Sequence, residues 1–299
     1  MDEKKKKRKK RSSLFSTILL FLILVIGMSL LLYPTVSNWW NQFHQSRAIA
    51  TYTEAVVAID QEAYDRMLAD AREYNEILAG TSNRLMPTDE MHELYESLLD
   101  VTGTGIMGYI NIPKISVHLP IYHGVEDVVL QVAAGHIEGT SLPVGGEGTH
   151  TVISGHRGLP SARLFTDLDQ LIEGDYVLLT ILNETFTYEV DQIRIVLPAE
   201  VDSLTIEPGK DYCTLVTCTP YGINSHRMLI RGHRVENLEE EIQVSADAEL
   251  FEPMQVAPLV AAPILLFLLF MLLLKPKKPK LKHVSDVELE MSREKNKTE

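Results

Sequence analysis

The residue in this chain that is best suited to chemistry is Cys218, which ends a strand-like run, 212–218, just before a Pro-Tyr-Gly turn. After the turn, residues 225–231 read as a second strand. Arg227 lies nine residues after Cys218 and therefore returns beside it across the predicted hairpin. A thiol held at a strand end next to a cation is suited to nucleophilic catalysis with stabilisation of an anionic intermediate.

A cysteine nucleophile also needs a base or a positive field, and several histidines are candidates. His156 is favoured because it follows the strand-like run 150–154 and lies in Gly155-His156-Arg157-Gly158, where glycines leave the imidazole little shielded. A histidine at a strand end is often only surface, so spacing alone leaves this assignment open.

Cys213 and Cys218 are the only cysteines. Five residues of extended strand would separate them by about 16 Å and place them on opposite faces. A disulfide needs Cα atoms within about 7 Å, so the two are expected to stay unpaired. Cys213 is then a small core residue, and Cys218 remains available for chemistry.

Two apolar runs lie near the two ends of the chain and flank its central part. Residues 4–11 are all basic, and residues 14–33 carry no charge, which is about the length that a helix needs to cross a bilayer. A second run, about 256–274, is followed at once by a lysine-rich segment. The positive-inside rule predicts a two-pass protein of the cell membrane with both termini cytoplasmic and the central domain extracellular. Cleavage of the first run near Thr35-Val36-Ser37 stays open as an alternative.

The predicted outer domain is strongly acidic. Residues 35–253 contain 12 Lys or Arg and 34 Asp or Glu, a net charge of −22, against −13 for the whole chain. This charge argues against nucleic acid as a partner. No cluster of His, Cys and carboxylates has ligand spacing, so neither a metal nor an organic cofactor is predicted.

The central domain reads as helices followed by strands. Apolar positions recur at helical spacing over 45–79, residues 80–83 break the pattern, and 88–100 form a short second helix. From Gly105 onward, short β-branched runs alternate with turn signals at 108–112, 119–122, 150–154, 176–182, 184–196 and the two strands around Cys218. Such spacing is typical of a small closed barrel or sandwich.

Several motifs in the same order resemble the sortases, Gram-positive cysteine transpeptidases. Thr214-Leu215-Val216-Thr217-Cys218 matches their Thr-Leu-x-Thr-Cys motif, and Ser154-Gly155-His156-Arg157 resembles the segment around their catalytic histidine. The segments 134–136, 139–143 and 219–227 resemble the class C, pilin-polymerising branch. The resemblance covers roughly residues 105–236, together with the two-span layout.

The resemblance implies a mainly β fold, an eight-stranded sortase β-barrel with an N-terminal helical extension and two transmembrane helices. It makes Cys218 the nucleophile, His156 the acid or base and Arg227 the oxyanion partner. Thr217 and Ser154 are predicted to bind substrate, and His136 to be structural. The implied order is a basic tail (1–13), a span (14–34), a helical and lid-like region (35–104), the barrel (105–238), a linker (239–254), a second span (255–274) and a cytoplasmic tail (275–299).

Class C sortases usually carry an Asp-Pro-aromatic motif in a lid that plugs the cysteine. Residues 80–91 contain no such motif, and Asp89 is the nearest stand-in, without the neighbouring proline and aromatic residue. The lid is therefore either absent or closed by different contacts.

The resemblance implies cleavage of a Leu-Pro-x-Thr-Gly-like sorting signal between Thr and Gly. The acyl product would be joined to a pilin Lys amine, so the partners are pilins or surface proteins with C-terminal sorting signals. Alternatives are a housekeeping sortase that uses a peptidoglycan amine, a non-catalytic membrane-bound pilin scaffold and a cysteine hydrolase.

Overall fold

A computed structural model describes residues 2–237 and two isolated positions, 265 and 269. The predicted linker, the second span and the C-terminal tail lie outside the described residues, apart from those two positions.

The N-terminal third of the chain is helical. Helix α1 runs Asp2–Ala58, and its Ile18–Ala58 portion is long and apolar enough to cross a membrane, the one such helix in the described part of the chain. The predicted helix 45–79 is wrong in one respect, since it is interrupted at residues 59–60 and continues as α2 (Gln61–Ala79). The break occurs because Asp60 caps α2, accepting a 2.8 Å hydrogen bond from Ala63 N. Helix α3 (Asp89–Ser97) begins after its cap, Thr88.

The rest of the described chain forms a closed barrel of eight strands, as the resemblance implies. The strands are β1 (Ile106–Ile112), β2 (Val117–His123), β3 (Ala134–His136), β4 (Thr149–Ser154), β5 (Tyr176–Ile181), β6 (Glu184–Val196), β7 (Asp211–Thr219) and β8 (His226–Val235). Their order around the barrel is β1-β2-β3-β4-β7-β8-β6-β5. A short helix, α4 (Asp127–Leu130), lies between β2 and β3.

Alternation along the strands separates the barrel interior from its outer face. Ile153, Leu215 and Ile230 of β4, β7 and β8 are fully buried in the main core. Their neighbours Val152, Val216 and Leu229 belong to a second, smaller apolar cluster on the opposite face. Every other residue of these three strands therefore faces outward.

Helices α2 and α3 are tied to the barrel by buried polar contacts. Asn75 on α2 donates to Leu142 O at 3.0 Å and accepts from Leu142 N at 2.7 Å. On α3, the Tyr95 hydroxyl lies 3.0 Å from His136 Nδ1 and accepts from Gly124 N at 3.0 Å. These contacts hold the helical extension against β3 and its loops.

Two buried histidines should make stability depend on pH. Burial lowers the pKa of both His136 and His150 to about 4. Above pH 6.5 both are neutral in the folded and unfolded states, but below it the unfolded chain binds protons that the folded chain does not. The free energy of unfolding should therefore fall by about 1.4 kcal/mol per pH unit for each histidine between pH 6.5 and 5.

Urea unfolding of the full chain in detergent between pH 5 and 7.5 measures this slope. Burial raises the pKa of Asp211, which acts in the opposite sense, because protonation of this carboxyl favours the folded chain as the pH falls. His150→Gln should make the slope shallower by removing one of these two buried groups. A free energy of unfolding that stays flat from pH 6.5 to 5 would contradict the prediction.

Candidate active site

The predicted nucleophile and its partner face the same way on adjacent strands. Cys218 lies near the end of β7, half-buried, and is directly paired in register with Arg227 near the start of β8. Paired residues of antiparallel strands project from the same face of a sheet. Cys218 and Arg227 are therefore neighbours on the outer face, at one end of the barrel.

Arg227 is held by the turn that joins the two strands. Its Nη1 donates to His226 O at 3.1 Å and to Asn224 O at 3.3 Å. Asn224 has a φ of +59°, a left-handed conformation that asparagine tolerates better than most residues. These two hydrogen bonds hold the Arg227 guanidinium at the turn, close to the end of β7.

His156 follows β4, which runs parallel to β7 beside it. Two hydrogen bonds fasten the residue before it to β7: Gly155 N donates to Val216 O at 3.1 Å, and Thr217 Oγ1 donates to Gly155 O at 2.8 Å. His156 O in turn accepts from Phe165 N at 3.1 Å. The backbone of His156 is therefore fixed beside the last residues before Cys218, and its side chain is half-buried.

Gly155 is required by close packing at this point. A Cβ atom there would lie 2.6 Å from the Phe165 ring, and Phe165 is fully buried. A larger residue would push the His156 segment away from β7.

An ion pair and an aromatic ring surround the same segment. The Arg157 side chain is only 8% exposed and pairs with Asp169. Its guanidinium carbon lies 5.9 Å from the centre of the Tyr221 ring. A Cβ on Gly158 would lie 3.0 Å from that ring, so the β7–β8 turn packs directly on the loop that carries His156.

An apolar strip extends from Cys218 along the outer face. Val152, Val216 and Leu229 form its floor, and Leu204 from the β6–β7 loop covers it. His150 secures this loop, because its Nδ1 donates to Thr205 O at 2.9 Å while its Nε2 accepts from Thr214 Oγ1 at 2.7 Å. Leu204 was not predicted from the sequence, since a single leucine in a polar loop gives no periodic signal.

The other predicted residues near the site differ in their exposure to solvent. Ser154 is partly exposed at the end of β4, and its register partner is Val216. Thr217 is only 2% exposed, and its hydroxyl is engaged by Gly155 O. Cys213 is buried in the main core, and burial raises the pKa of its thiol. The two cysteines are free and lie on opposite faces, as their odd separation predicts.

His136 is placed where a structural residue is expected. It is completely buried, its Nε2 donates to Ser141 O at 2.9 Å, and its ring stacks with Tyr95. This arrangement keeps the ring neutral and inside the fold.

The lid-like segment is held by Arg84, a residue that no pattern in the sequence singles out. Arg84 Nη1 donates to Gly139 O and its Nη2 donates to Leu204 O, both at 2.6 Å. The segment between α2 and α3 therefore bridges the β3–β4 and β6–β7 loops. Asp89 is exposed in the first turn of α3. Its role in a lid stays a prediction.

No group of three or more His, Cys, Asp or Glu residues with metal-binding geometry occurs among residues 2–237. Cys218, Arg227 and the His156 segment lie at the same end of the barrel, and a thiol, a guanidinium and an imidazole together can support acyl transfer to a cysteine.

Comparison with known proteins defines the class. A family model of the sortase domain matches residues 110–235. The crystal structure of sortase C1 from Streptococcus agalactiae is 52% identical, with a TM-score of 0.63, over 64% of this chain and all of that chain. The chain belongs to the sortase family of cysteine transpeptidases.

Two further relatives support the assignment to the sortase family. Sortase C1 of GBS Pilus Island 1 is 39% identical with a TM-score of 0.59, covering 67% of this chain and 97% of that one. Sortase A of Streptococcus agalactiae serotype III is 27% identical over 201 residues, 66% of this chain and 76% of that protein. The two solved structures, both of sortase C1, are class C sortases.

Proposed function

We propose that the chain cleaves a Leu-Pro-x-Thr-Gly-like sorting signal between Thr and Gly and joins the acyl product to a pilin Lys amine. The observation that carries this proposal is the register pairing of Cys218 with Arg227 next to the anchored His156 segment.

The proposed reaction has two halves. The Cys218 thiolate attacks the threonine carbonyl, and N–H groups of Arg227 bind the oxyanion. His156 then gives a proton to the departing glycine amine, leaving a thioester on Cys218. A lysine amine attacks the thioester, His156 takes up its proton, and the thiolate leaves as the isopeptide bond forms.

The apolar strip on the outer face is suited to an extended signal peptide. Leu204 covers this buried strip, so the β6–β7 loop would have to move for the apolar residues of the signal to contact Val152, and Ser154 would contact the signal's backbone. For Thr217 we propose a positioning role in place of the predicted substrate contact, because its buried hydroxyl ties the Cys218 strand to the His156 segment.

The pilin acceptor is supported by the class C neighbours, one of which belongs to a pilus island. The cell-wall acceptor of a housekeeping sortase is the second candidate, since a sortase A is also among the relatives. We further propose the two-pass arrangement, with the barrel outside the cell and both termini in the cytoplasm.

An acceptor competition tests the proposal. The full chain is incubated with a sorting-signal peptide and either a pilin subunit or a peptidoglycan precursor. We expect an isopeptide-linked pilin product that is absent when the acceptor lysine is changed to arginine. A product with the precursor alone would favour the housekeeping role, hydrolysis at a comparable rate would favour a hydrolase, and no turnover would favour a scaffold.

Arg227→Lys should lower kcat by about 10²–10³-fold, because one ammonium cannot reproduce the forked donors of a guanidinium at the oxyanion. Steady-state kinetics with the signal peptide and a lysine acceptor measures this effect. Arg231→Lys is the matched control on the same strand, since Arg231 is engaged with Asp191 at 2.9 and 3.0 Å. Equal losses in both variants would contradict the assigned role.

A further inference from the structure

The membrane helix and the barrel are joined without a flexible linker. Helix α1 is continuous from the apolar span into the segment that packs on the barrel. Asn38 Oδ1 accepts from Arg163 N at 2.9 Å, and Asn41 Nδ2 donates to Ser161 O at 2.9 Å. The first barrel residues that α1 binds therefore belong to the loop that begins with His156.

The contacts of α1 proceed from one end of the barrel to the other. After Asn38 and Asn41, Gln45 Nε2 donates to Val132 O at 2.6 Å, just before β3. Further along, the Tyr52 hydroxyl donates to Met107 O at 2.8 Å, near the start of β1. The loop that follows the catalytic histidine is thus nearest to the apolar span, and the start of β1 is farther from it.

The height of this loop above the bilayer follows from helix geometry. Asn38 is five residues beyond Tyr33, the last residue of the uncharged run, which corresponds to about 8 Å along the helix. The headgroup layer on each side of the hydrocarbon core is about 5–8 Å thick. Trp39 is 62% exposed beside Asn38, and tryptophans concentrate at this level. The barrel loop bonded to Asn38 and Asn41 lies at the same level.

Exposed apolar side chains extend from that loop across the same end of the barrel. Tyr221 packs on Gly158 of the loop, and Ile223, in the same turn, is 71% exposed. Val132 is bonded through its carbonyl to α1, and Val128, one helical turn before it, is 77% exposed. The turn 220–225 carries no acidic residue, in contrast to the strongly acidic domain. We call these four residues the apolar rim: Val128, Val132, Tyr221 and Ile223.

We propose that the apolar rim rests in the headgroup region of a phospholipid bilayer, so that the end of the barrel carrying Cys218 faces the membrane. The partner is the lipid surface itself, because a continuous helix delivers the rim to that height. Apolar side chains are stabilised on leaving water, and the turn 220–225 brings no carboxylate to the surface, whereas Glu126 and Asp127 lie beside Val128. A Cys218 that lies close to the bilayer suits a substrate anchored in the membrane. The placement of the apolar rim does not depend on which amine accepts the acyl group.

Depth-dependent quenching of tryptophan fluorescence tests the proposal. Trp39 and Trp40 are the only tryptophans, so Trp39→Phe with Trp40→Phe gives a silent background. Ile223→Trp and Val128→Trp are introduced separately, and the full chain is reconstituted in phosphatidylcholine vesicles that contain brominated lipid. Val57→Trp is the control, since Val57 is 76% exposed and lies about 27 Å beyond Trp39 on the same helix. The Trp40→Phe single variant, which keeps Trp39, is the positive control.

We expect loss of fluorescence at positions 223 and 128 and in the positive control, with none at position 57. Unquenched emission at 223 and 128 would overturn the proposal and leave the rim as a surface for a protein partner. Quenching at all three introduced positions would also overturn it, because α1 would then lie along the bilayer. An unquenched Trp39 would place the bilayer boundary elsewhere and remove the basis of the proposal.

Discussion

Cys218→Ala should abolish isopeptide formation, with a loss of roughly 10⁴-fold or more in kcat, because the other cysteine, Cys213, is buried in the core. Arg227 and His156 remain in this variant, so binding of the signal peptide should be largely retained. Chromatographic quantification of the ligated product, together with a peptide-binding assay, separates loss of chemistry from loss of binding.

The second cysteine provides the matched control. Cys213→Ala removes a thiol from the same strand, but one that is buried in the core on the opposite face. It should cost about 1 kcal/mol of stability for the cavity left by the removed sulfur atom and leave turnover nearly unchanged. Turnover that survives Cys218→Ala, or that disappears with Cys213→Ala in a folded protein, would contradict the assignment of the nucleophile.

His156→Ala should lower kcat/KM by roughly 10³–10⁴-fold, because the glycine amine then leaves without a proton donor. The loss should be smaller for a substrate with an activated leaving group that needs no proton. Rates of the variant and the wild type with an amide and a thioester substrate test this difference.

His226→Ala is the control for His156. It removes an imidazole that precedes Arg227 at the same end of the barrel, where its Nδ1 lies 2.9 Å from Ser225 Oγ. This variant should keep most of the activity and the wild-type ratio of amide to thioester rates. The opposite result, with His226 essential and His156 dispensable, would reassign the acid.

The strands were largely predictable because β-branched runs and turn residues mark them locally. The seven predicted strands are all present, and their alternation correctly places Cys213 inside and Cys218 outside. Strand β3 was not predicted, since Ala134-Gly135-His136 is short and lacks β-branched residues. It exists because β2 and β4 provide partners on both sides.

The long-range contacts of the helical region could not be predicted. Helical spacing over 45–79 conceals the break before Asp60, although Asp60 has the residue type of a helix cap. Arg84 binds two carbonyls 55 and 120 residues away, and backbone carbonyls carry no sequence signal. The contact of Thr217 with a backbone carbonyl could not be predicted either. Its motif indicates the site but not that its side chain points inward.

Mass spectrometry of the full chain after incubation with a Leu-Pro-x-Thr-Gly peptide tests the central claim most directly. We expect an acyl adduct on the fragment that contains Cys218, released by hydroxylamine and absent from Cys218→Ala. An adduct on another residue, or no adduct while the Cys218 thiol is free and reacts with an alkylating agent, would contradict a thioester mechanism at this site.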